Sequence, residues 1–477
     1  MQMYKRSYIT TPIFYPNARP HLGHAYTATI ADILARYRRA VGDEVYFLTG
    51  VDENTEKVAR AARAAGQETG AYLNTVVSSF KDLFSEKKLN ISYDQFIRTS
   101  DEKVHWPGAQ ALWRKLVEAG DIYPSSYEGL YCVGHEAFVT EKNLVGGKCP
   151  DHNEAPQHLK ETNYFFRLSK YTKEIKKRIE CAELQIIPEE RKNEIIALLE
   201  RGLEDVSFSR PSDKVSVGIP VPDDSTQKMY VWCDALTNYI SALGYGRDDE
   251  LFRKFWPADL HIIGKDILRF HAGIWPGMLL SAGLPLPKKI LVHGFITSGG
   301  KKMSKTLGNV IDPDTLIEEY GGEAVRYFLA RHISPFEDGD ITLTRFKETY
   351  NADLANGLGN LVARILQMSS QCFEHPVDLS EKRKPFSVSQ YIEKFELNNA
   401  LIAIWSDMSV LNDFIQENKP FDVIKTDKKK AQLQISYLVK ELFRIAEILE
   451  LFMPETSKKI KEAIQQNKKP ENLFPRK

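Results

Sequence analysis

Long apolar runs are missing from this 477-residue sequence: no stretch approaches the roughly 18 consecutive apolar residues that a membrane helix requires, so no membrane partner is expected. The opening MQMYKRSYITTPIF has no signal-peptide core and passes at once into a strand-like segment, which leaves no room for a transit peptide. Cysteine is scarce: five, an odd number, do not make a disulfide framework and point to a reducing cytoplasm. Net charge is also missing, since 64 basic side chains balance 64 acidic ones. That balance argues against a non-specific nucleic-acid coat, while a local basic face for one RNA remains open. What is present, 43% hydrophobic and 27% charged residues, is the make-up of a globular chain long enough for two to four domains.

Texture divides the chain. From Tyr8 to about Leu116, short apolar runs alternate with helical patterns: SYITT and EVYFLTG read as strands, and Ala25 to Arg39 between them as a helix. Strand, helix, strand implies an α/β fold, a parallel sheet with its ligand crevice at the carboxyl ends of the strands. Residues 117–222 break into short, irregular pieces, as an insertion would. The α/β texture returns at 223–296 with DLHIIG and KKILVHGF, and a loop region covers 297–345. From 346 to 477 almost everything is helical. Leu354, Leu358, Leu361, Ile365 and Met368 form one apolar stripe, and Leu438, Leu442, Ile445, Leu449 and Phe452 another, stopped by Pro454; these predict an all-α bundle.

Two short motifs carry chemistry. Pro20-His21-Leu22-Gly23-His24 follows the first strand and opens the first helix, where free backbone donors and partial positive charge suit phosphate. Two imidazoles three apart can both donate to a phosphate chain, and Gly23 leaves room for a flat base. Taken alone, such a pair is more often a surface pair. Gly299-Gly300-Lys301-Lys302-Met303-Ser304-Lys305-Thr306 reads as a mobile glycine loop whose Lys302 and Lys305 can neutralise a departing pyrophosphate, or as a solvated basic loop. A P-loop is excluded, because Gly300 stands where its lysine belongs.

Together these motifs resemble the paired HIGH and KMSKS signatures of class I aminoacyl-tRNA synthetases. The surrounding TTPIFYPNARPHLGHAYTATIADILARYRR, YFLTGVDE, YVWCDALTNYISA, LHIIGKDILRFHAGIWPGML, KMSKTLGNVIDP and NADLANGLGNLVAR are similar to the methionyl branch of that class. The resemblance implies a Rossmann-like catalytic domain (1–116 and 223–296) split by a connective insertion, a loop and stem-contact region, and a helical anticodon-binding domain. It implies a ligase that uses ATP with Mg2+ to adenylate methionine and charges a methionine tRNA with a CAU anticodon. His21, His24, Lys302 and Lys305 would act on the phosphates, with Gly23, Gly264 and Asp266 also at ATP, beside Lys265. Ile13, Tyr15, Trp232, Ala235, Leu236, Tyr239, Ile267 and His271 would enclose the thioether, and Asp52 would bind the ammonium. Without the motifs, those aromatics read as core. The family usually continues past Asp52-Glu53 with His-Gly; this chain has Asn54-Thr55, and no role follows for Asn54.

Cys132-x-x-His135 and Cys149-x-x-His152 have the spacing of a tetrahedral zinc knuckle, or of a relic of one. In the bundle, Asn356, Asn360 and Arg364 match the family's anticodon-contacting positions at i, i+4 and i+8. Phe421 follows Pro420 where the family has a stacking tryptophan; it reads as a base-stacking ring or as a buried residue of the bundle. The chain ends soon after the bundle, and a monomer is expected. The rivals are a class I synthetase for another amino acid and a non-catalytic RNA-binding paralogue.

Overall fold

A computed structural model describes residues 5–477 apart from 133–136, 140, 142–143, 151–153, 216, 304–308 and 381–386. The chain divides into two compact units, of which the first comprises residues 1–19, 44–79 and 93–292. Its centre is a six-stranded sheet. Strands β1 (Arg6–Phe14), β2 (Glu44–Val51) and β3 (Gln95–Arg98) lie in the order β3-β2-β1, followed by Leu260–Gly264, Lys289–His293 and Gln185–Ile187. β1 pairs in parallel with β2 and with Leu260–Gly264, so the strand order reverses at β1. Such a reversal opens a crevice at the carboxyl ends of the strands.

The predicted strands and first helix form as the hydrophobic pattern implies. β1 is buried along most of its length, and its polar side chains are paired. Thr11 Oγ1 lies 2.7 Å from Thr49 Oγ1, and Thr10 Oγ1 lies 2.7 Å from His261 Nδ1, as buried hydroxyls require. Its register with β2 shifts between Thr10 and Ile13, around Pro12, which has no N–H to give the ladder. Gly50 is obligatory in β2: a Cβ there would come within 2.2 Å of the Ile97 carbonyl oxygen.

Region 117–222 is more regular than expected. Ile122–Cys132 and Gln157–Phe166 form a long antiparallel pair, registered from Ile122↔Phe166 to Tyr131↔Gln157, at the centre of a four-stranded sheet. QHLKETNYFF lacks clean alternation, which hid that strand from the pattern. Helices Thr172–Glu180 and Glu189–Arg201 follow, and between them Gln185–Ile187 pairs in parallel with Lys289–His293. The region therefore supplies the edge strand of the central sheet; three residues between two helices carry no period to reveal it.

The second unit comprises residues 20–43, 80–92 and 293–477. It contains α1 (Leu22–Ala40), a small sheet of Ile296–Ser298, Lys301–Lys302 and Gly339–Asp340, and a set of helices: Leu343–Thr349, Asn360–Cys372, Leu397–Asn418, Pro420–Thr426, Lys428–Leu449 and Pro454–Gln465. The expected stripes from Leu354 to Met368 and from Leu438 to Phe452 are buried, and Pro454 both ends one segment and opens the next helix. A buried ion pair ties three segments of this unit. Arg326 lies 2.7 Å from Asp32 and donates to the carbonyls of Phe452 (2.7 Å) and Leu89 (2.9 Å). Burial raises the Asp32 carboxyl, but Arg326, Arg36 and Ser92 outweigh it and hold the group below the usual carboxylate range.

Candidate active site

The methionine-pocket residues expected from the sequence are largely gathered in the first unit. Asp52 follows directly on the carboxyl end of β2, and its N–H donates to the Phe14 carbonyl (2.9 Å) at the end of β1. The Thr99 hydroxyl points at the Asp52 carboxylate (3.4 Å) and accepts the Glu53 N–H (2.8 Å). Glu53 is clamped by Arg98 at 2.8 Å, so the loop after β2 is fixed by charge on one side and hydrogen bonds on the other. Ile13 and Ile267 are half-buried and pack on the core cluster that contains Trp232, Leu236 and Tyr239. Tyr15, just past β1, lies under the Lys57 ammonium, 4.2 Å from the ring centroid.

The Val231–Leu236 helix buries Trp232, Ala235 and Leu236. Trp232 stacks on Phe270 (3.7 Å between centroids, 9° between planes) and meets His271 edge-on at 6.5 Å. Phe270 and His271 open a π-helical turn, Phe270–Ile274, a local widening common at functional sites. His271 Nδ1 lies 3.0 Å from the Ile267 carbonyl oxygen and can only donate to it; Nε2 therefore accepts from the Tyr239 hydroxyl at 2.7 Å. Burial pushes the His271 pKa down to about 4, against a weaker upward pull from the Ile267 carbonyl, so the ring is neutral at physiological pH. Burial likewise drives Tyr239 far above its usual range. The result is a wall of neutral aromatic groups, suited to a polarisable, uncharged side chain.

Three wall residues were not identified from the sequence. Phe270 and Trp275 flank the wall, and buried His261 packs against Tyr239 at 4.2 Å with Nε2 lacking a hydrogen-bond partner among the described residues. Phe270 could have been found as the neighbour of His271; His261 sits in a buried strand with no signal of its own. Gly264 ends the Leu260–Gly264 strand, followed by half-buried Lys265 and exposed Asp266 in one 3₁₀ turn.

In the second unit, His21 caps α1 and His24 is the third residue of its first turn. The rings stack at 3.8 Å. His21 Nδ1 accepts the Gly23 N–H (3.0 Å), and His24 Nδ1 accepts the His21 N–H (3.2 Å). Both protons are thereby placed on Nε2, making each ring a donor as expected. Desolvation, with the His21 ring adding to it, holds His24 well below the usual range, and desolvation lowers His21 too. The His21 ring lies 2.8 Å from where a Cβ on Gly23 would stand.

Gly299 and Gly300 (φ 61° and 72°) make a tight hairpin turn between Ile296–Ser298 and Lys301–Lys302, with the Gly300 N–H on Asp340 at 2.8 Å. Lys302 pairs with Thr297 in that hairpin; Lys305 lies outside the described residues.

Cys132 pairs with Ala137 in an antiparallel ladder, and the Cys149 N–H donates to the Glu154 carbonyl at 2.9 Å. Both cysteines are buried. His135 and His152 lie outside the described residues.

Among the RNA-facing candidates, Asn356 lies in a π-helical segment, Tyr350–Gly359, while Asn360 and Arg364 lie in the following α-helix. Asn356 and Asn360 are both exposed. Arg364 donates to Asn412 (3.1 Å) and Arg476 to Asn356 (2.6 Å). Phe421 is 45% exposed, which removes the reading of it as a buried core residue.

A parallel sheet with a reversal at β1, a histidine-capped first helix and a helical C-terminal region fit the class I aminoacyl-tRNA synthetases. A family model for class I tRNA synthetases (M) matches residues 7–159 and 152–366, and one for the anticodon binding domain of methionyl tRNA ligase matches 379–474. The chain is 43% identical to the methionine–tRNA ligase of Caldanaerobacter subterraneus, covering 97% of this chain and 74% of that one. It is 40% identical to that of Thermotoga maritima, covering 97% and 76%. The solved Mycobacterium tuberculosis methionyl-tRNA synthetase in complex with methionyl-adenylate superposes with a TM-score of 0.90 at 38% identity, over 96% of this chain and 93% of that one. Its apo form gives 0.83 at 33% identity, over 100% and 99%. The chain belongs to the methionyl-tRNA synthetase family.

Proposed function

We infer that the chain activates L-methionine with ATP to methionyl-adenylate and transfers the methionyl group to the 3′-terminal adenosine of tRNA. Family membership supports the reaction, and the neutral, buried Trp232–Tyr239–His271 wall is the observation that carries the choice of substrate. In this reading the thioether lies against Trp232, Tyr239 and His271, with Ile13, Tyr15, Ala235, Leu236 and Ile267 completing the enclosure. Asp52 holds the ammonium. The methionine carboxylate then attacks the α-phosphorus and pyrophosphate leaves, with charge building on the departing oxygens. His21 and His24 donate from Nε2 to the phosphates, and Lys302 and Lys305 neutralise the leaving group. Gly23, Gly264 and Asp266 bind the rest of ATP, which arrives with Mg2+.

The finer assignments form part of the same proposal. Asn356, Asn360, Arg364 and Phe421 read the CAU anticodon of methionine tRNA from the helical region. Two thiolates and two imidazoles, from Cys132, His135, Cys149 and His152, hold a structural zinc ion, whose bonds would staple the two cysteine segments together. The divisions 1–116, 117–222, 223–296, 297–345 and 346–477 mark catalytic first half, connective insertion, catalytic second half, loop and stem-contact region, and anticodon domain. The protein acts as a cytoplasmic monomer.

The test is amino-acid-dependent ATP–pyrophosphate exchange. Methionine is expected to support it well above leucine, isoleucine or cysteine; better exchange with any of those three would overturn the assignment. Metal analysis of protein purified without chelator should find about one zinc per chain.

A further inference from the structure

Asn54 stands where the family usually carries histidine, and nothing in the sequence gives it work. In the structure its side-chain nitrogen donates twice: to the Asp234 carboxylate at 2.7 Å and to the Thr99 carbonyl at 3.0 Å. Both partners are acceptors only, so the amide orientation is settled by its neighbours.

Each partner leads to one half of the methionine-binding surface. Thr99 is fully buried, and its hydroxyl faces the Asp52 carboxylate; its carbonyl also receives the Trp106 indole N–H at 3.1 Å. Asp234 belongs to the Val231–Leu236 helix, two residues after Trp232 and next to Ala235. It too is fully buried. Its other oxygen receives His105 Nε2 at 2.6 Å, and His105 Nδ1 lies 2.8 Å from Ser241 Oγ. A continuous polar chain therefore runs Asp52–Thr99–Asn54–Asp234–His105–Ser241, and Asn54 is the link between the loop after β2 and the helix behind the thioether wall.

We propose that Asn54 is a positioning residue for methionine, holding the ammonium-binding Asp52 loop and the Trp232 helix at a fixed separation through its two donated hydrogen bonds. The proposal rests on the methionine reading of this pocket. The residue type suits the task. One amide nitrogen carries two protons and stays uncharged, whereas a neutral imidazole offers one. Removing the amide deprives a fully buried carboxylate of a side-chain donor, and loosens both contacts to the same small molecule at once. ATP contacts in the proposal use none of these residues.

Two variants test it by pyrophosphate exchange, with the KM of each substrate and the melting temperature measured together. Asn54→Ala should raise the methionine KM roughly ten- to a hundredfold, the range set by losing hydrogen bonds to a buried charged group, with the ATP KM and kcat within about twofold. Asn54→Asp keeps the shape but sets a carboxylate against Asp234, and should raise the methionine KM further. Glutamine, which keeps the amide on a longer stem, should restore part of the loss. An unchanged methionine KM would overturn the proposal. So would KM values for both substrates and kcat shifting together with a fall in melting temperature, which marks a merely structural role. If the unaltered chain itself shows no methionine-dependent exchange, the substrate reading fails and not the positioning argument.

Discussion

Trp232, Tyr239 and His271 are buried; Trp232 stacks on Phe270, and Tyr239 and His271 are joined by a hydrogen bond whose donor can be assigned. Phe421, Asn356 and Asn360 are exposed, on helices whose apolar sides are already occupied by the bundle core. In the proposed function the difference follows from the ligands. Methionine brings no charge on its side chain and few atoms, so discrimination has to come from a preformed wall of fixed shape and polarity. An anticodon loop brings large flat bases that are splayed out and stacked on whatever ring reaches solvent. One region specifies by being finished; the other by leaving its side chains available.

Removing a donor that the proposed function assigns to the phosphates should have the largest effect. His24→Ala loses an Nε2 donor oriented by the N-terminal turn of α1, and should slow adenylation on the order of 10²- to 10³-fold while barely changing methionine affinity. Lys305→Ala should behave alike. Single-turnover adenylate formation checks both, and a variant that loses methionine affinity at a normal rate would contradict the roles.

Acid sharpens the contrast next. His271 is neutral in the folded chain, with its pKa lowered to about 4, and titrates near 6.5 when unfolded. Its contribution to stability is intact above pH 6.5 and is lost as pH falls from there toward 4. That loss is about 3 kcal/mol from this group alone, since the unfolded chain takes up the proton first. Urea unfolding at pH 7 and pH 4.5 measures it, and His271→Asn should show a shallower acid slope. Equal slopes would mean that the wall is not held neutral. Phe421 variants should leave the slope untouched.

Tyr239→Phe removes one oxygen and leaves His271 Nε2 buried without its donor, at a cost of about 1–3 kcal/mol. A 5- to 150-fold drop in kcat/KM for methionine is expected, with ATP affinity kept; no change would show that the hydroxyl–imidazole bond does not shape the wall.

Much of this contrast was legible in the residues. β1, β2 and α1 follow from apolar runs and helical spacing, and the bundle stripes from their period. The histidine pair was identifiable as donors, but not the cap geometry that makes them so, because a proton's position depends on which backbone N–H each ring accepts. The π-helical turns at Phe270 and Tyr350 were invisible, since spacing arguments assume 3.6 residues per turn. The wall residues were identified through resemblance to a family; by composition alone Trp232 and Tyr239 are indistinguishable from core. Asn54 carried no sequence signal, as its partners lie 45 and 180 residues away.

The most direct measurement is the ratio of tRNA charging to pyrophosphate exchange in Phe421→Ala, read with its melting temperature. Base stacking contributes about 1–3 kcal/mol, so charging of a CAU-anticodon tRNA should fall roughly 5- to 150-fold, with exchange and melting temperature unchanged and with Phe421→Trp restoring charging. Normal charging by the alanine variant, or a parallel fall in exchange, would contradict the division between a finished methionine wall and an exposed tRNA-reading surface.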